Sequence, residues 1–256
     1  MNSVILCEGF DDILILGYYL HKTSKEPKWN YVVENEFSEN FKLPNVSKRQ
    51  TIEIYKRNED KVAIWGVGGK DRFNKVLHHI YKINTSFPQE RFKEVILVSD
   101  RDSYEINDCL KKIENDFSNI GWDVTLSNNI SNKVTYEVEE EFYDINITPI
   151  VIPFEEIGAL ETVLMNAIAE TDIEDNYIVG QAKEYITKIK NSGNLAKYLR
   201  HDRERLKAEF SAVISVTNPD RSTALFDALL MSHEWETKAE IKKHFGIIEE
   251  LLNNFI

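Results

Sequence analysis

The sequence predicts an α/β protein: a parallel sheet flanked by helices, with a C-terminal helical annex. Two observations carry that reading. Through residue 126, short apolar runs alternate with segments of helical period, the pattern of parallel strands joined by helical crossovers. From Ile157 onward the spacing of apolar residues is almost wholly helical.

The elements follow in order. Ser3 to Cys7 (SVILC) is a short continuous apolar run, as a buried strand requires. Residues 10 to 22 place Ile13, Leu14, Leu16, Gly17 and Leu20 at helical spacing. Residues 23 to 50 are polar, contain Pro27 and Pro44, and read as an insertion with a short strand at Tyr31 to Val33. Thr51 to Tyr55 and Lys61 to Val67 read as two strands joined by the polar turn at 56 to 60. A helix is predicted over Asp71 to Ile83, a buried strand over Glu94 to Ser99, and a helix over Tyr104 to Ile120 that ends at Gly121. Trp122 to Leu126 reads as the next parallel strand. Val134 to Val138 and Ile147 to Ile152 form a β extension within 127 to 152. Helices are then predicted over Gly158 to Glu170, Tyr177 to Lys190, Asn194 to Val213, Ser222 to Met231 and Lys238 to Phe255. The expected domains are a core over 1–152 and a helical region over 153–256.

Composition narrows the function classes. Of 256 residues, 42% are hydrophobic and 29% charged, ordinary for a globular protein. No apolar stretch approaches the roughly 18 residues of a membrane span, so no membrane partner is expected. The opening MNSVILCEGF has no basic segment ahead of its apolar run and reads as a strand rather than a secretion signal. Two cysteines, Cys7 and Cys109, cannot make a disulfide framework or a four-ligand zinc site. The expected location is cytoplasmic. A net charge of −12 argues against coating nucleic acid by charge alone, though not against an enzyme acting on it.

Three segments close predicted parallel strands, where open α/β sheets bind ligands. They are Glu8-Gly9-Phe10-Asp11-Asp12, Gly66-Val67-Gly68-Gly69-Lys70 and Asp100-Arg101-Asp102. Glu8, Asp100 and Asp102 offer the all-oxygen donor set that magnesium prefers. Three such carboxylates would repel one another without a cation between them. Taken singly, each segment has a plainer explanation: D-x-D also suits a solvated turn, and Lys70 a solvated side chain after a glycine turn.

In this order the three segments resemble the Toprim family: E-G-x-x-D after the first strand, a double glycine after a middle strand, and D-x-D after the next. The resemblance covers about residues 1 to 126. It implies a Rossmann-like parallel sheet and chemistry on a nucleic-acid backbone, with Glu8 near the reacting phosphate, Asp12 as the second acidic position of the first motif, and Asp100 and Asp102 holding Mg²⁺ or Mn²⁺. The segment Gly158-Ala159-Leu160-Glu161 is similar to the G-x-L-E of small stand-alone Toprim proteins related to the OLD nucleases, which makes Glu161 a ligand for a second metal. Glu161 equally suits a helix residue paired with a lysine. The chain has no G-x-x-x-x-G-K-[ST], so any motor is a separate ATPase partner. The resemblance also implies a role in phage defence.

Between Lys183 and Lys207, eight cationic side chains stand against three carboxylates, a local net charge of +5. Lys197, Arg200, Arg203 and Lys207 are the nucleic-acid-contact candidates. Leu195, Leu199, Leu206 and Phe210 give the predicted helix an apolar stripe, so its basic face could equally be only solvated. The expected function is a metal-dependent nuclease acting on DNA or RNA, with Glu8, Asp12 and Lys70 at the catalytic centre and homo-oligomerisation left open. The alternatives are a non-catalytic Toprim-like binding or regulatory module and a primase-type nucleotidyl transferase.

Overall fold

The structure is a computed structural model and describes residues 1–33, 50–195, 197–221, 226–231 and 233–253. It divides into two compact units: residues 1–99, 106–151 and 247–256 form the first, and 100–105 with 152–246 the second. Most of the insertion expected over 23–50 lies outside the described residues, as do 222–225 and 254–255 of the last two predicted helices.

The first unit is built on a seven-stranded sheet, which makes the protein α/β as predicted. Its strands are β1 (Asn2–Cys7), β2 (Asn30–Val32), β3 (Thr51–Arg57), β4 (Asp60–Gly66), β5 (Phe92–Asp100), β6 (Asn132–Val138) and β7 (Glu141–Ile152). They lie in the order β2-β3-β4-β1-β5-β7-β6. β1 pairs in parallel with β4 and β5, with Val4 opposite Ala63 and Val95. The Arg101 N–H, just past the end of β5, donates at 2.6 Å to the carbonyl of Ile152, the last residue of β7, so these two strands also run parallel. The outer strands pair antiparallel, β2 on β3, β3 on β4 and β6 on β7.

The central strands are continuous apolar runs because both faces of the sheet are covered. Val4, Leu6, Ala63, Trp65, Val95 and Leu97 face α2 (Phe73–Ser86) and α3 (Ile106–Ser118), which contribute Val76, Leu77, Ile80, Ile113 and Phe117 to the same core. α1 (Phe10–Thr23) packs on the other face, against β3 and β4. On that face Arg57 donates to Asn253 Oδ1 at 2.6 Å and to the Leu252 carbonyl, tying down the last turn of α8 (Ala239–Asn253). A cation at a helix C-terminus also meets the negative end of its dipole.

Gly17 marks where α1 approaches β3 most closely, since a Cβ there would collide with the Tyr55 hydroxyl. Gly17→Ala is therefore expected to lower stability: overpacking costs about 1–3 kcal/mol, against ~1 kcal/mol gained in helix propensity. The urea midpoint should fall, and adding Tyr55→Phe should recover part of the loss. An unchanged midpoint would show that Tyr55 moves aside freely.

One predicted strand is absent. Trp122 to Leu126 alternates like a strand but takes no place in the sheet. Trp122 is instead buried against Tyr81, Phe117 and Tyr136, and the Leu126 N–H donates to the Glu114 carboxylate at 2.7 Å rather than to a neighbouring strand. The place beside β5 belongs to β7, so the expected β extension is part of the sheet itself.

The second unit is helical: α4 (Leu160–Ala169), α5 (Ile173–Asn191), α6 (Asp202–Thr217), α7 (Phe226–Leu230) and most of α8. Asp172 caps α5 by accepting from the Glu174 and Asp175 N–H groups, both at 2.9 Å. The Glu170 carboxylate accepts from the Ala239 and Glu240 N–H groups and so caps α8. The helix expected over Asn194 to Val213 begins only at Asp202. Gly193 and Leu199 both have positive φ, 73° and 56°, which interrupts the chain between α5 and α6.

Candidate functional site

In the first unit, the carboxyl ends of β1 and β4 are stitched together through Glu8. Its carbonyl accepts from the N–H groups of Gly68 (2.9 Å) and Gly69 (3.0 Å). Both glycines have positive φ, 84° and 124°, so the double glycine is what lets the chain turn there. A Cβ on Gly66 would lie 3.0 Å from the Gly9 carbonyl, so that position too must stay small. The Glu8 side chain is about one-fifth exposed and lies 3.5 Å from Lys70 Nζ. The Ser99 hydroxyl donates to Glu8 Oε1 at 3.1 Å. Asp12 accepts from the Gly9 N–H at 2.7 Å, the carboxylate half of a capping box at the start of α1, so its carboxylate has a structural use of its own.

In the second unit, the D-x-D and G-x-L-E segments come together. Asp100 Oδ1 accepts from the Leu160 N–H at 2.9 Å, a bond that spans sixty residues of sequence. The Asp102 N–H donates to the Gly158 carbonyl at 2.7 Å, and the two residues form a short antiparallel bridge. Gly158 has no room for a side chain, because a Cβ would strike Thr162 Oγ1. Ala159, the cap residue of α4, offers no side-chain oxygen, so Asp100 satisfies one of the orphan N–H groups of that helix. Asp102 has φ of 54°, in the left-handed region that aspartate and asparagine tolerate better than other residues.

Arg101, between the two aspartates, is the residue that sequence reasoning passed over. It is buried, and its guanidinium donates to the carbonyls of Tyr104 (3.1 Å) and Phe154 (3.3 Å) and to Glu105 (2.9 Å). It thereby fixes the loop that carries Asp100 and Asp102. A lone arginine between two acidic residues gives no signal of this in sequence.

Glu161 forms an ion pair with Lys207 at 2.7 Å and is 14% exposed. It directly follows Leu160, whose backbone N–H donates to Asp100. Arg203 and Lys207 lie on α6, whereas Lys197 and Arg200 lie in the segment before it, so the four do not share one helix face. Lys197 Nζ sits 5.1 Å from the centre of the Tyr198 ring. Arg200 and Arg203 line a cavity together with Asp102 and Gly158.

A separate acidic cluster, Glu155, Glu240 and His244, has its potential donor atoms within 4.8 Å of one another. Its groups are already used. Lys243 bridges Glu155 and Glu240. His244 Nε2 accepts from the Phe154 N–H at 3.1 Å, which leaves Nδ1 to donate to the Glu240 carbonyl at 2.8 Å. Burial also pushes the His244 pKa down, so the ring is neutral and both nitrogens are committed. In this structure the cluster is a network of ion pairs and hydrogen bonds.

Among the described residues, no helix is long and apolar enough to cross a membrane. No family model matches the chain, and no curated protein matches it. Two solved structures are similar to it. One is a hypothetical protein from Pyrococcus horikoshii OT3, 16% identical, covering 90% of this chain and 98% of that one, with a TM-score of 0.46. The other is a protein of unknown function from Thermoplasma acidophilum, 15% identical, covering 87% and 89%, with a TM-score of 0.26. Neither likeness bears on function.

Proposed function

We propose that this chain is a divalent-metal-dependent nuclease that hydrolyses phosphodiester bonds in DNA or RNA. The observation that carries the reading is the joining of D-x-D to G-x-L-E, two acidic motifs sixty residues apart that meet through Asp100 and Leu160 and through Asp102 and Gly158. A solvated turn has no need of either bond.

The donor chemistry fits the metal that the Toprim resemblance implies. Asp100 and Asp102 offer carboxylate oxygens only, on a loop fixed by Arg101, which suits Mg²⁺ or Mn²⁺ better than a softer ion. Asp100 and Asp102 would hold this ion, and Glu161 would serve a second one on release from Lys207. Bound there, the metal supplies charge stabilisation at a phosphoryl oxygen and acidifies a water molecule. The chain's own groups orient and move protons. Glu8 is the acid–base group of this reading, and the Lys70 ammonium 3.5 Å away is its counter-charge. A role in phage defence beside a separate ATPase is the biological setting that the OLD resemblance suggests.

One observation favours a second reading, a non-catalytic Toprim-like binding module. Glu8 and Glu161 both carry lysine counter-charges, which a protein that never binds metal would need. Cleavage separates the two. Supercoiled DNA, single-stranded DNA and structured RNA should be cut with Mn²⁺ or Mg²⁺, and not with EDTA, by the wild type but not by Glu8→Gln. Wild-type protein that cuts none of them, even with a neighbouring ATPase gene product added, would leave the binding module standing.

A further inference from the structure

We infer that the cavity lined by Arg200, Arg203, Arg205 and Asp102 is a binding site for one phosphorylated nucleotide of a single-stranded nucleic acid. The cavity lies wholly within the helical unit and has a volume of about 440 Å³. That falls within the roughly 300–1,000 Å³ of small-ligand sites and is far more than one ion needs.

Its walls set the ligand chemistry. Arg203 and Arg205 come from the first turn of α6, a sixteen-residue helix, and Arg200 from the segment just before it. The His201 side chain makes no cap bond at this helix start, so the positive end of the helix dipole adds to the arginines. Of the two aspartates that line the cavity, Asp102 and Asp202, the second already has counter-ions. Arg205 is paired with the buried Glu209 at 2.7 Å and lies 3.8 Å from Asp202, which Lys190 also holds at 3.1 Å. Asp202 ionises more readily than usual, with the Lys190 contact as the largest cause. Arg203 is exposed and has no ion-pair partner among the described residues. Planar guanidinium groups bind phosphate in a forked geometry and also stack on bases. Half-exposed Ile157 and buried Leu206 give the same cavity an apolar wall that a sugar or base can cover.

A phosphate alone would leave that apolar wall unused, and an uncharged nucleoside would leave the arginines unused. Asp102 borders the cavity, so a strand seated there brings a phosphate to the D-x-D loop. The choice of nucleic acid over another phosphorylated ligand rests on the nuclease reading above. The cavity itself does not.

The test is fluorescence anisotropy of a labelled 5′-phosphorylated single-stranded pentanucleotide with the full chain in EDTA. AMP, adenosine and inorganic phosphate serve as competitors. The wild type should bind, and inorganic phosphate and AMP should displace the strand while adenosine does not. Arg200→Ala combined with Arg203→Ala should weaken binding about tenfold or more and lower the salt slope by about 1 per lost contact. Both side chains are exposed, and the melting curve of the double variant checks that it is folded. AMP as strong a competitor as the pentanucleotide would point to free nucleotides as the source of the phosphate, and weak AMP competition to strands. Absence of wild-type binding, equal binding by the double variant, or displacement by adenosine would overturn the proposal. Adding Mn²⁺ to the same samples separates this result from the nuclease reading. Binding without cleavage sinks only the nuclease, and cleavage with arginine-independent binding sinks only the cavity.

Discussion

Asp100→Asn and Asp102→Asn should each abolish metal-dependent cleavage and remove the thermal stabilisation that Mn²⁺ or Mg²⁺ gives the wild type. Asparagine is the informative replacement because both positions also have structural uses. At 100 an amide oxygen can still accept the Leu160 N–H, which alanine would orphan at a cost of about 1 kcal/mol. At 102 asparagine tolerates the left-handed φ of 54°, which alanine would strain. The metal-free variants should therefore melt close to the wild type. With a hundredfold excess of ion over Kd, the wild type gains about 2.7 kcal/mol, and the variants gain little of it. Loss of a direct ligand should cost activity more than the roughly 10–100-fold typical of an outer partner. The measurement is a melting series with each ion, run beside the cleavage assay. A wild type whose melting ignores both ions, or a variant that still responds fully, would remove Asp100 and Asp102 from any metal site.

Much of the sheet unit is legible in sequence, for a definite reason. Buried parallel strands must be apolar on both faces, so SVILC and EVILVS stand out, and α2 shows a clear helical period. The β3–β4 hairpin is announced by its polar turn. What fails is what depends on a distant partner. Trp122 to Leu126 alternates as a strand does, but alternation records only which side chains turn inward. It says nothing of where the backbone N–H groups go, and here one goes to Glu114. The slot beside β5 is filled instead by β7, which periodicity cannot order within the sheet.

The candidate site divides in the same way. The residue types and strand-end positions of Glu8 and Asp100 are readable, because a turn after a buried strand has a limited vocabulary. The bond from Leu160 to Asp100 is not readable, since it links backbone to side chain across sixty residues. The helix predicted over Asn194 to Val213 follows the leucine spacing, but Leu199 takes a positive φ of 56° and the helix starts only at Asp202. That break takes Arg200 off the helix and puts it on the cavity wall.

Glu94→Gln should make the protein more stable at neutral and alkaline pH and flatten its stability between pH 4.5 and 7. Glu94 is fully buried in β5, on the face of the sheet that it shares with its register neighbour Ser3. Its carboxylate accepts from Thr148 Oγ1 at 3.1 Å, while Oε2 and the Ser3 hydroxyl both lack a hydrogen-bond partner among the described residues. Burial is the largest cause of a pKa pushed up to about 7 from 4.5, and hydrogen bonds from Asn146 and Thr148 oppose it. In the unfolded chain the group ionises near 4.5. Between these values the folded state holds a proton that the unfolded state has lost, so stability falls as pH rises through this window and levels off above about 7. At 1.36 kcal/mol per unit, the ionised carboxylate costs the fold about 3 kcal/mol. A glutamine has no such charge to bury, and its amide can donate to the Ser3 hydroxyl. Urea unfolding at pH 5, 6, 7 and 8 measures the effect. The wild type should lose stability across the series relative to Glu94→Gln, with the gap widest at pH 8. Parallel curves for the two proteins would show that Glu94 titrates normally and that its pocket is wetter than the packing around β5 implies.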